Sequence, residues 1–405
     1  MKYGLIGKTL LYSYSKLIHE KFGQYTYDLC EIAEDGVENF IKNGGYDAFN
    51  VTIPYKETVI KYLDKVDDFA LELSSVNTVV KKDGLLYGYN TDFYGMIYML
   101  SSANITIKDK VVMILGSGGT GRTAVAVSKY LGAKRIVIVS RNGEVNYQNY
   151  HKITDVQVVI NTTPVGTYPN TDSTPISLDT FDNLEGVADA TYNPFMTKLL
   201  FLAKNKGVKY VNGLKMLVAQ AKFAMEIFLD KKFDDAIIED VYNDIKLSTQ
   251  NVVLIGMPGA GKTTVGKELS MLTGKDFIDT DEEIVKLAGK TIPQIFSEYG
   301  EEYFRELETK VLSNVCKERG KIIATGGGIV KLERNLFYVK QNGTVVCIDR
   351  DLSLLETFGR PLSTSIDALK KIKEEREPLY NNFADFTVKN ISSTNNTAEE
   401  ILSKL

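Results

Sequence analysis

Short runs of aliphatic and β-branched residues alternate with stretches of helical period along almost the whole chain. Residues 2–6 read as a strand and residues 16–22 as a helix stopped by Gly23. Residues 47–53 read as a strand, broken at Pro54 and followed by a helix through Val66. Val111–Leu115, a helix over 122–131 and Arg135–Val139 make a strand–helix–strand unit, which residues 156–161 and Gly186–Asp189 continue. Helical patterns over 214–228 and 234–246 close this half, and residues 247–250 are the expected joint. Asn251–Ile255 then opens a second alternation that runs to the carboxyl terminus. Such alternation predicts α/β layers with parallel sheets, because a parallel connection needs a crossover element.

Composition narrows this picture. A length of 405 residues allows two or three domains, and 44% hydrophobic with 25% charged residues is ordinary for a globular chain. The net charge of -4 offers no electrostatic attraction for nucleic acid or an anionic membrane. No stretch approaches ~18 consecutive apolar residues, so no membrane span is expected. Gly7, Lys8 and Ser13 interrupt the amino-terminal strand before a signal-peptide core can form. Cys30, Cys316 and Cys347 lie far apart, and only His19 and His151 could join them, so the thiols are expected to be buried and reduced, in a cytoplasmic protein without zinc.

The candidate chemistry lies in two glycine-rich loops, each directly after a strand. Gly116-Ser117-Gly118-Gly119-Thr120-Gly121 has the spacing of a dinucleotide cradle, whose glycines let the backbone approach a pyrophosphate. The next strand ends in Ser140-Arg141-Asn142 rather than in a carboxylate. A guanidinium there can pair with a 2′-phosphate, which favours NADP over NAD; the plain alternative is a solvated loop charge. The second loop, Gly256 to Thr263, carries the G-x-x-x-x-G-K-T spacing of a P-loop. Gly259, Ala260, Gly261 and Thr264 belong to its phosphate cradle, with Lys262 reaching the β/γ-phosphates of ATP and Thr263 ligating Mg²⁺. A GTPase would need a guanine-reading Asn-Lys-x-Asp; Asn205-Lys206 precedes the P-loop and continues with glycine.

Before and around the first loop stand Ser13-Tyr14-Ser15, residues 50–56 (Asn-Val-Thr-Ile-Pro-Tyr-Lys), Val76-Asn77-Thr78, Asn90-Thr91-Asp92 and residues 212–220. Singly each suits a turn, a cap or a surface charge. Together, over residues 1–246, they resemble the shikimate dehydrogenase family. The resemblance implies that Ser13, Ser15, Thr52, Asn77, Asp92, Tyr192 and Gln220 hold the substrate. Gly116 to Thr120, Ser140 to Asn142, Ala190 and Gly213 would line the NADP site, and Lys56 and Asp92 would be catalytic. An ammonium can protonate the oxygen of a ketone that receives hydride, and a carboxylate can orient it. Tyr12 stands where the family commonly has histidine, Lys16 where it has proline, and the segment 142–156 is short.

Residues 250–400 resemble shikimate kinase. The motifs are residues 277–281, 304–308, Ala324-Thr325-Gly326-Gly327-Gly328, Arg360-Pro361-Leu362 and residues 375–380. The resemblance places Asp281 on the substrate hydroxyls, as the group that takes the attacking oxygen's proton. It puts Asp279 on Mg²⁺ through water, Arg305 and Arg376 on the substrate carboxylate, Gly327 against the ring, and Arg360 on the transferring phosphate. The rival reading of Arg305 is an i, i+3 pair with Glu308, and that of Arg376 a solvated charge run. Only Phe358 and Gly359 separate Thr357 from Arg360, and Glu356 replaces an adenine-flanking arginine, which bears on ATP affinity.

The fold expected is therefore α/β throughout. A substrate-binding domain (1–93 with 213–247) and a Rossmann NADP-binding domain (94–212) precede a P-loop kinase domain with a parallel sheet (250–405). The function implied is NADPH-dependent reduction of 3-dehydroshikimate to shikimate, followed by ATP·Mg²⁺-dependent phosphorylation. The partners are these small molecules, in a monomer or a homodimer. The alternatives are a quinate/NAD enzyme fused to another small-molecule kinase, and a sensor in which one half binds without catalysis.

Overall fold

The computed structural model describes residues 1–10, 13–355, 366–391 and 393–405. The chain divides into two compact units, Met1–Ile245 and Lys246–Leu405.

The first unit carries two sheets. The amino-terminal one comprises β1 (Tyr3–Gly7), β2 (Tyr27–Glu31), β3 (Ala48–Val51), β4 (Lys65–Val66), β5 (Thr78–Lys82) and β6 (Leu85–Tyr89), in the order β2-β1-β3-β5-β6-β4. All five residues of β1 are buried, because the strand is central and covered on both faces. The second sheet comprises β7 (Val111–Leu115), β8 (Arg135–Val139), β9 (Val158–Asn161), β10 (Gly186–Asp189) and β11 (Lys209–Asn212), in the order β11-β10-β9-β7-β8 and parallel throughout. Because β8 lies on one side of β7 and β9 on the other, strand order reverses at β7. A crevice opens there, outside the carboxyl ends of the strands.

Helices Asp92–Ser102 and Leu214–Leu229 pack against each other at Gly95, where an added Cβ would lie 2.8 Å from the Met216 carbonyl and 2.9 Å from Gln220 Cβ. That approach, which only glycine permits, sets the first turn of one helix beside the middle of the other. Phe93, Met96, Met99 and Leu100 bury the apolar face of the first helix against Val112, Ile114 and Met216.

The second unit is one parallel sheet of β12 (Asn251–Ile255), β13 (Asp276–Asp279), β14 (Lys321–Ala324), β15 (Gly343–Asp349) and β16 (Phe386–Lys389), ordered β13-β14-β12-β15-β16. Its core is its own: Val252 to Ile255, Val265, Leu269, Ile322, Ile323 and Val345 to Ile348 pack with Phe383 and Ile401.

Four sequence expectations need correction. The first sheet is mixed, since β3, β5 and β6 pair antiparallel. The Asp83-Gly84 turn between β5 and β6, with φ of 52° and 80°, is a tight-hairpin signal that the parallel reading passed over. Residues 54–66 form no α-helix; they hold a 3₁₀ turn, Thr58–Tyr62, and then β4. Three adjacent β-branched residues, Thr58, Val59 and Ile60, weaken the helix, while Lys65 and Val66 pair alongside Tyr87 and Gly88. The helix expected over 234–246 runs on to Thr249, into the residues expected as the joint. Its buried stripe of Ile238, Val241 and Ile245 maintains the period. Cys316 and Cys347 are buried, but Cys30 is only half-buried, its thiol 3.0 Å from the Tyr46 hydroxyl. Among the described residues no helix is long and apolar enough to cross a membrane.

Candidate active sites

Lys56 lies in the turn after β3, and Asp92 is the first residue of its helix, where the N-terminal dipole favours a carboxylate. Lys56 Nζ donates to Asp92 Oδ2 at 2.6 Å, both side chains being about a fifth to a quarter exposed (26% and 18%). Next to Asp92, buried Asn77 donates from Nδ2 to Thr91 Oγ1 at 3.0 Å and to Gln220 Oε1 at 3.4 Å, and accepts the Thr91 N–H at 2.8 Å. Gln220 in turn donates to the Leu217 carbonyl at 2.9 Å. Lys56, Asn77, Asp92 and Gln220 are thus brought together from four separate segments.

Ser13 and Ser15 flank Tyr14, whose ring centroid lies 5.6 Å from that of Tyr192, so the serine loop meets Tyr192. Half-buried Thr52 lies beside the end of β1: a Cβ on Gly7 would fall 2.6 Å from its Cγ2. Among the described residues no hydrogen bond links Thr52, Ser13 or Ser15 to the Lys56–Asp92 pair. Asn50 is structural, holding the Asn77 carbonyl and Thr78 Oγ1, each at 3.0 Å.

The first glycine loop leaves the end of β7. Gly116 has φ of 103°, and nothing lies within 4 Å of an added Cβ at Gly118 or Gly119, so Ser117 to Thr120 present open backbone. That open cradle fits a pyrophosphate. At Gly213 an added Cβ would lie 1.9 Å from the Ala190 carbonyl, so the helix Leu214–Leu229 starts hard against the end of β10. Arg141 and Asn142 are exposed beyond β8, with Ser140 half-buried; among the described residues Arg141 forms no ion pair. A cation placed there fits a 2′-phosphate.

In the P-loop, Lys262 Nζ is buried and donates to the Gly256 and Met257 carbonyls at 2.9 and 3.0 Å. Gly259 and Gly261 take φ of 85° and 96°, and Asn390 Nδ2 braces the Ala260 carbonyl at 2.8 Å. Thr263 Oγ1 donates to Asp279 Oδ2 at 2.8 Å, so two oxygens suited to Mg²⁺ already converge. Among the described residues no cluster of three or more acidic, His or Cys side chains could hold a metal alone. The other oxygen of Asp279 caps helix Thr280–Ala288 by accepting the Asp281 N–H at 3.0 Å.

Across the same cavity, of about 470 Å³, stand Thr264, Asp281, Arg305, Glu308, Gly327 and Arg376. Arg305 donates to Glu308 at 2.8 Å and to Glu301 at 3.0 Å, so the i, i+3 pair exists and a second carboxylate joins it. Burial pushes the Glu308 carboxyl up to about 6 against the pull of Arg305. Arg376 is buried rather than solvated. Its Nη1 donates to the Gly327 carbonyl at 2.9 Å, and its Nε is buried with no partner among the described residues. Tyr380 donates to the same carbonyl at 2.6 Å, so Gly327 is held from two sides. An orphaned buried guanidinium nitrogen fits an anionic ligand. Arg360, Glu356 and Tyr12 lie outside the described residues.

Comparison with known proteins bears on both sites. Residues 5–79 match a family model of the shikimate dehydrogenase substrate binding domain. A shikimate dehydrogenase (NADP(+)) of Clostridium beijerinckii is 35% identical over 260 residues, covering 60% of this chain and 96% of that protein. The chain belongs to the shikimate dehydrogenase family. One from Clostridium perfringens is 37% identical and covered over 98% of its length. A crystal structure of a chorismate mutase/shikimate 5-dehydrogenase fusion protein from Clostridium acetobutylicum aligns with a TM-score of 0.58 at 34% identity, covering 60% of this chain and 96% of that one. Shikimate dehydrogenase 1 from Peptoclostridium difficile aligns with a TM-score of 0.56 at 34% identity, covering 61% and 98%. Residues 258–405 match a shikimate kinase family model. The chain is thus a bifunctional enzyme, a fusion of two shikimate-pathway modules.

Behind the dehydrogenase family's glycine loop lies a polar group that the motifs did not reveal. Asp189, at the end of β10, is fully buried and accepts from Asn161 Nδ2 at 3.0 Å, the Thr191 N–H at 3.0 Å and Thr197 Oγ1 at 2.7 Å. Burial pushes its carboxyl from 3.8 up to about 6. A raised folded-state value means that the native protein holds the proton more tightly. The associated stability is present at low pH and is lost as pH rises from about 4 to about 6. Asp189→Asn is therefore expected to gain on the wild type across that window, by up to ~3 kcal/mol, in urea denaturation at pH 4 to 7. A flat difference would mean that its three donors keep the carboxylate ionised throughout. The only sequence signal was an acidic residue ending an apolar strand.

Proposed function

We propose that the first module reduces 3-dehydroshikimate to shikimate with NADPH, and that the second phosphorylates shikimate to shikimate 3-phosphate with ATP·Mg²⁺. The observation that carries this reading is the partly buried Lys56–Asp92 pair, on the same chain as a P-loop cavity lined by Asp281, Arg305 and Arg376. When bound, NADPH supplies the hydride, ATP the phosphoryl group and Mg²⁺ charge neutralisation.

In the first site Lys56 delivers a proton to the ketone oxygen as the carbonyl carbon is reduced, and Asp92 aims the ammonium. Asn77 and Gln220, already tied together, offer amide groups to the ring hydroxyls; Ser13, Ser15, Thr52 and Tyr192 complete the grip. Gly116 to Thr120, Ala190 and Gly213 shape the dinucleotide cradle, and Ser140, Arg141 and Asn142 meet its 2′-phosphate.

In the second site Asp281 takes the proton of the attacking hydroxyl, and Thr263 and Asp279 hold the metal. Arg376 offers its unpartnered Nε to the substrate carboxylate, while Arg305, aimed by Glu301 and Glu308, shares its charge with that group. Gly327 faces the ring, Lys262 and the loop Gly259 to Thr264 hold the phosphates, and Arg360, outside the described residues, is assigned to the transferring group by the family resemblance alone.

A coupled assay tests the reading. Supplied with 3-dehydroshikimate, NADPH and ATP·Mg²⁺, the full chain should consume both nucleotides and release shikimate 3-phosphate. An enzyme that used only NADH and only quinate would overturn it.

A further inference from the structure

Arg350 directly follows β15, and the roles assigned above leave it unused. It is half-buried. Its Nε is shielded from solvent without a partner, and among the described residues its guanidinium makes no ion pair or hydrogen bond. The acidic residues on either side do not occupy it: Asp349 pairs with Lys373 at 3.6 Å, and Asp351 accepts the Ser353 N–H at 2.8 Å. A half-buried guanidinium with unmet donors points to a ligand rather than to a structural role.

Its position indicates which ligand. Arg350 lines two cavities, the P-loop cleft and a second of about 310 Å³ that also includes Lys373, Lys389 and Ile391. Its Nη1 lies 3.8 Å from where a Cβ on Gly261 would stand, at the start of the helix that follows the P-loop. Phosphates held by the loop leave the nucleoside to extend past its edge, and the second cavity adjoins the P-loop cleft through Arg350, which lines both. That cavity presents a cationic plane, Arg350, and an aliphatic side chain, Ile391, which is 70% exposed and so covered by little else. A planar guanidinium stacks on an aromatic face, and an apolar side chain suits the opposite one.

We propose that Arg350 is a nucleotide-binding residue, with the base of ATP entering the pocket between Arg350 and Ile391 and its face stacked on the guanidinium. This rests on the kinase reading above. The test uses the full chain, with ADP and inorganic tripolyphosphate as calorimetric probes. Arg350→Ala should weaken ADP binding and raise the ATP KM by about tenfold (~1.4 kcal/mol). Tripolyphosphate binding and the KM for shikimate should stay within about twofold. Arg350→Lys, which keeps the charge but not the plane, should recover only a minor part. Ile391→Ser, at an exposed position where folding is not at stake, should weaken ADP in the same direction. The dehydrogenase rate of each variant checks that the chain is folded. Unchanged ADP binding in Arg350→Ala, or equal losses for ADP and tripolyphosphate, would overturn the proposal while leaving the kinase reading intact. Failure of the wild type to bind ADP would remove both.

Discussion

Lys56→Ala is expected to lower kcat for dehydroshikimate reduction by ~1000-fold, within the range for loss of a positioned general acid, while phosphorylation of added shikimate stays within about twofold. The expectation rests on the 2.6 Å contact between Lys56 Nζ and Asp92, both of whose side chains are largely withdrawn from water. No other lysine or histidine is hydrogen-bonded to Asp92 among the described residues, so no second donor is in place. The variant leaves Asp92 partly exposed at a helix N-terminus, where its charge is tolerated, so the fold should survive. Stopped-flow oxidation of NADPH, with the kinase rate measured on the same preparation, checks both halves. A loss confined to KM, with kcat preserved, would make Lys56 a binding group and not the proton donor.

Lys262→Ala is expected to do the reverse, cutting phosphoryl transfer by ~100-fold to ~1000-fold, the scale for removing one preorganised charge at a reacting centre. Reduction should proceed at the wild-type rate. Lys262 Nζ bridges the Gly256 and Met257 carbonyls across the loop, so it shapes the cradle as well as supplying charge. Its loss should therefore weaken ADP binding together with kcat. The two units have separate hydrophobic cores, so damage in one is not expected to spread to the other. Parallel assays of both reactions on each variant decide this. If either substitution silenced both activities in a folded chain, the independence of the two sites would be wrong.

The parts that could be read directly are those whose chemistry is local in the chain. A glycine loop after an apolar strand declares itself because its φ values, 103° at Gly116 and 96° at Gly261, suit glycine and few other residues. The strand before the P-loop was equally plain, since Val252 to Ile255 are apolar in an unbroken run, as a parallel strand covered on both faces requires. The family motifs named Lys56, Asp92, Asn77 and Gln220, but only packing put them in contact: Lys56 and Asp92 are 36 residues apart, and Asn77 and Gln220 are 143 apart. The same holds where expectation failed. The edge pairing of β4 overrode the helical reading of residues 54–66, and the Asp83-Gly84 hairpin made the first sheet mixed. The rival reading of Arg376 as a solvated charge rested on its acidic neighbours Glu375 and Glu377, and it falls because helix Ile366–Phe383 turns the side chain inward to the Gly327 carbonyl. Burial of Asp189 and exposure of the Arg350 guanidinium to two cavities left no mark in the spacing of residues. Periodicity and motif report what a segment does with its own backbone. Desolvation and charge pairing depend on which distant segments arrive beside it, and these set the proton affinities and unmet donors on which chemistry draws.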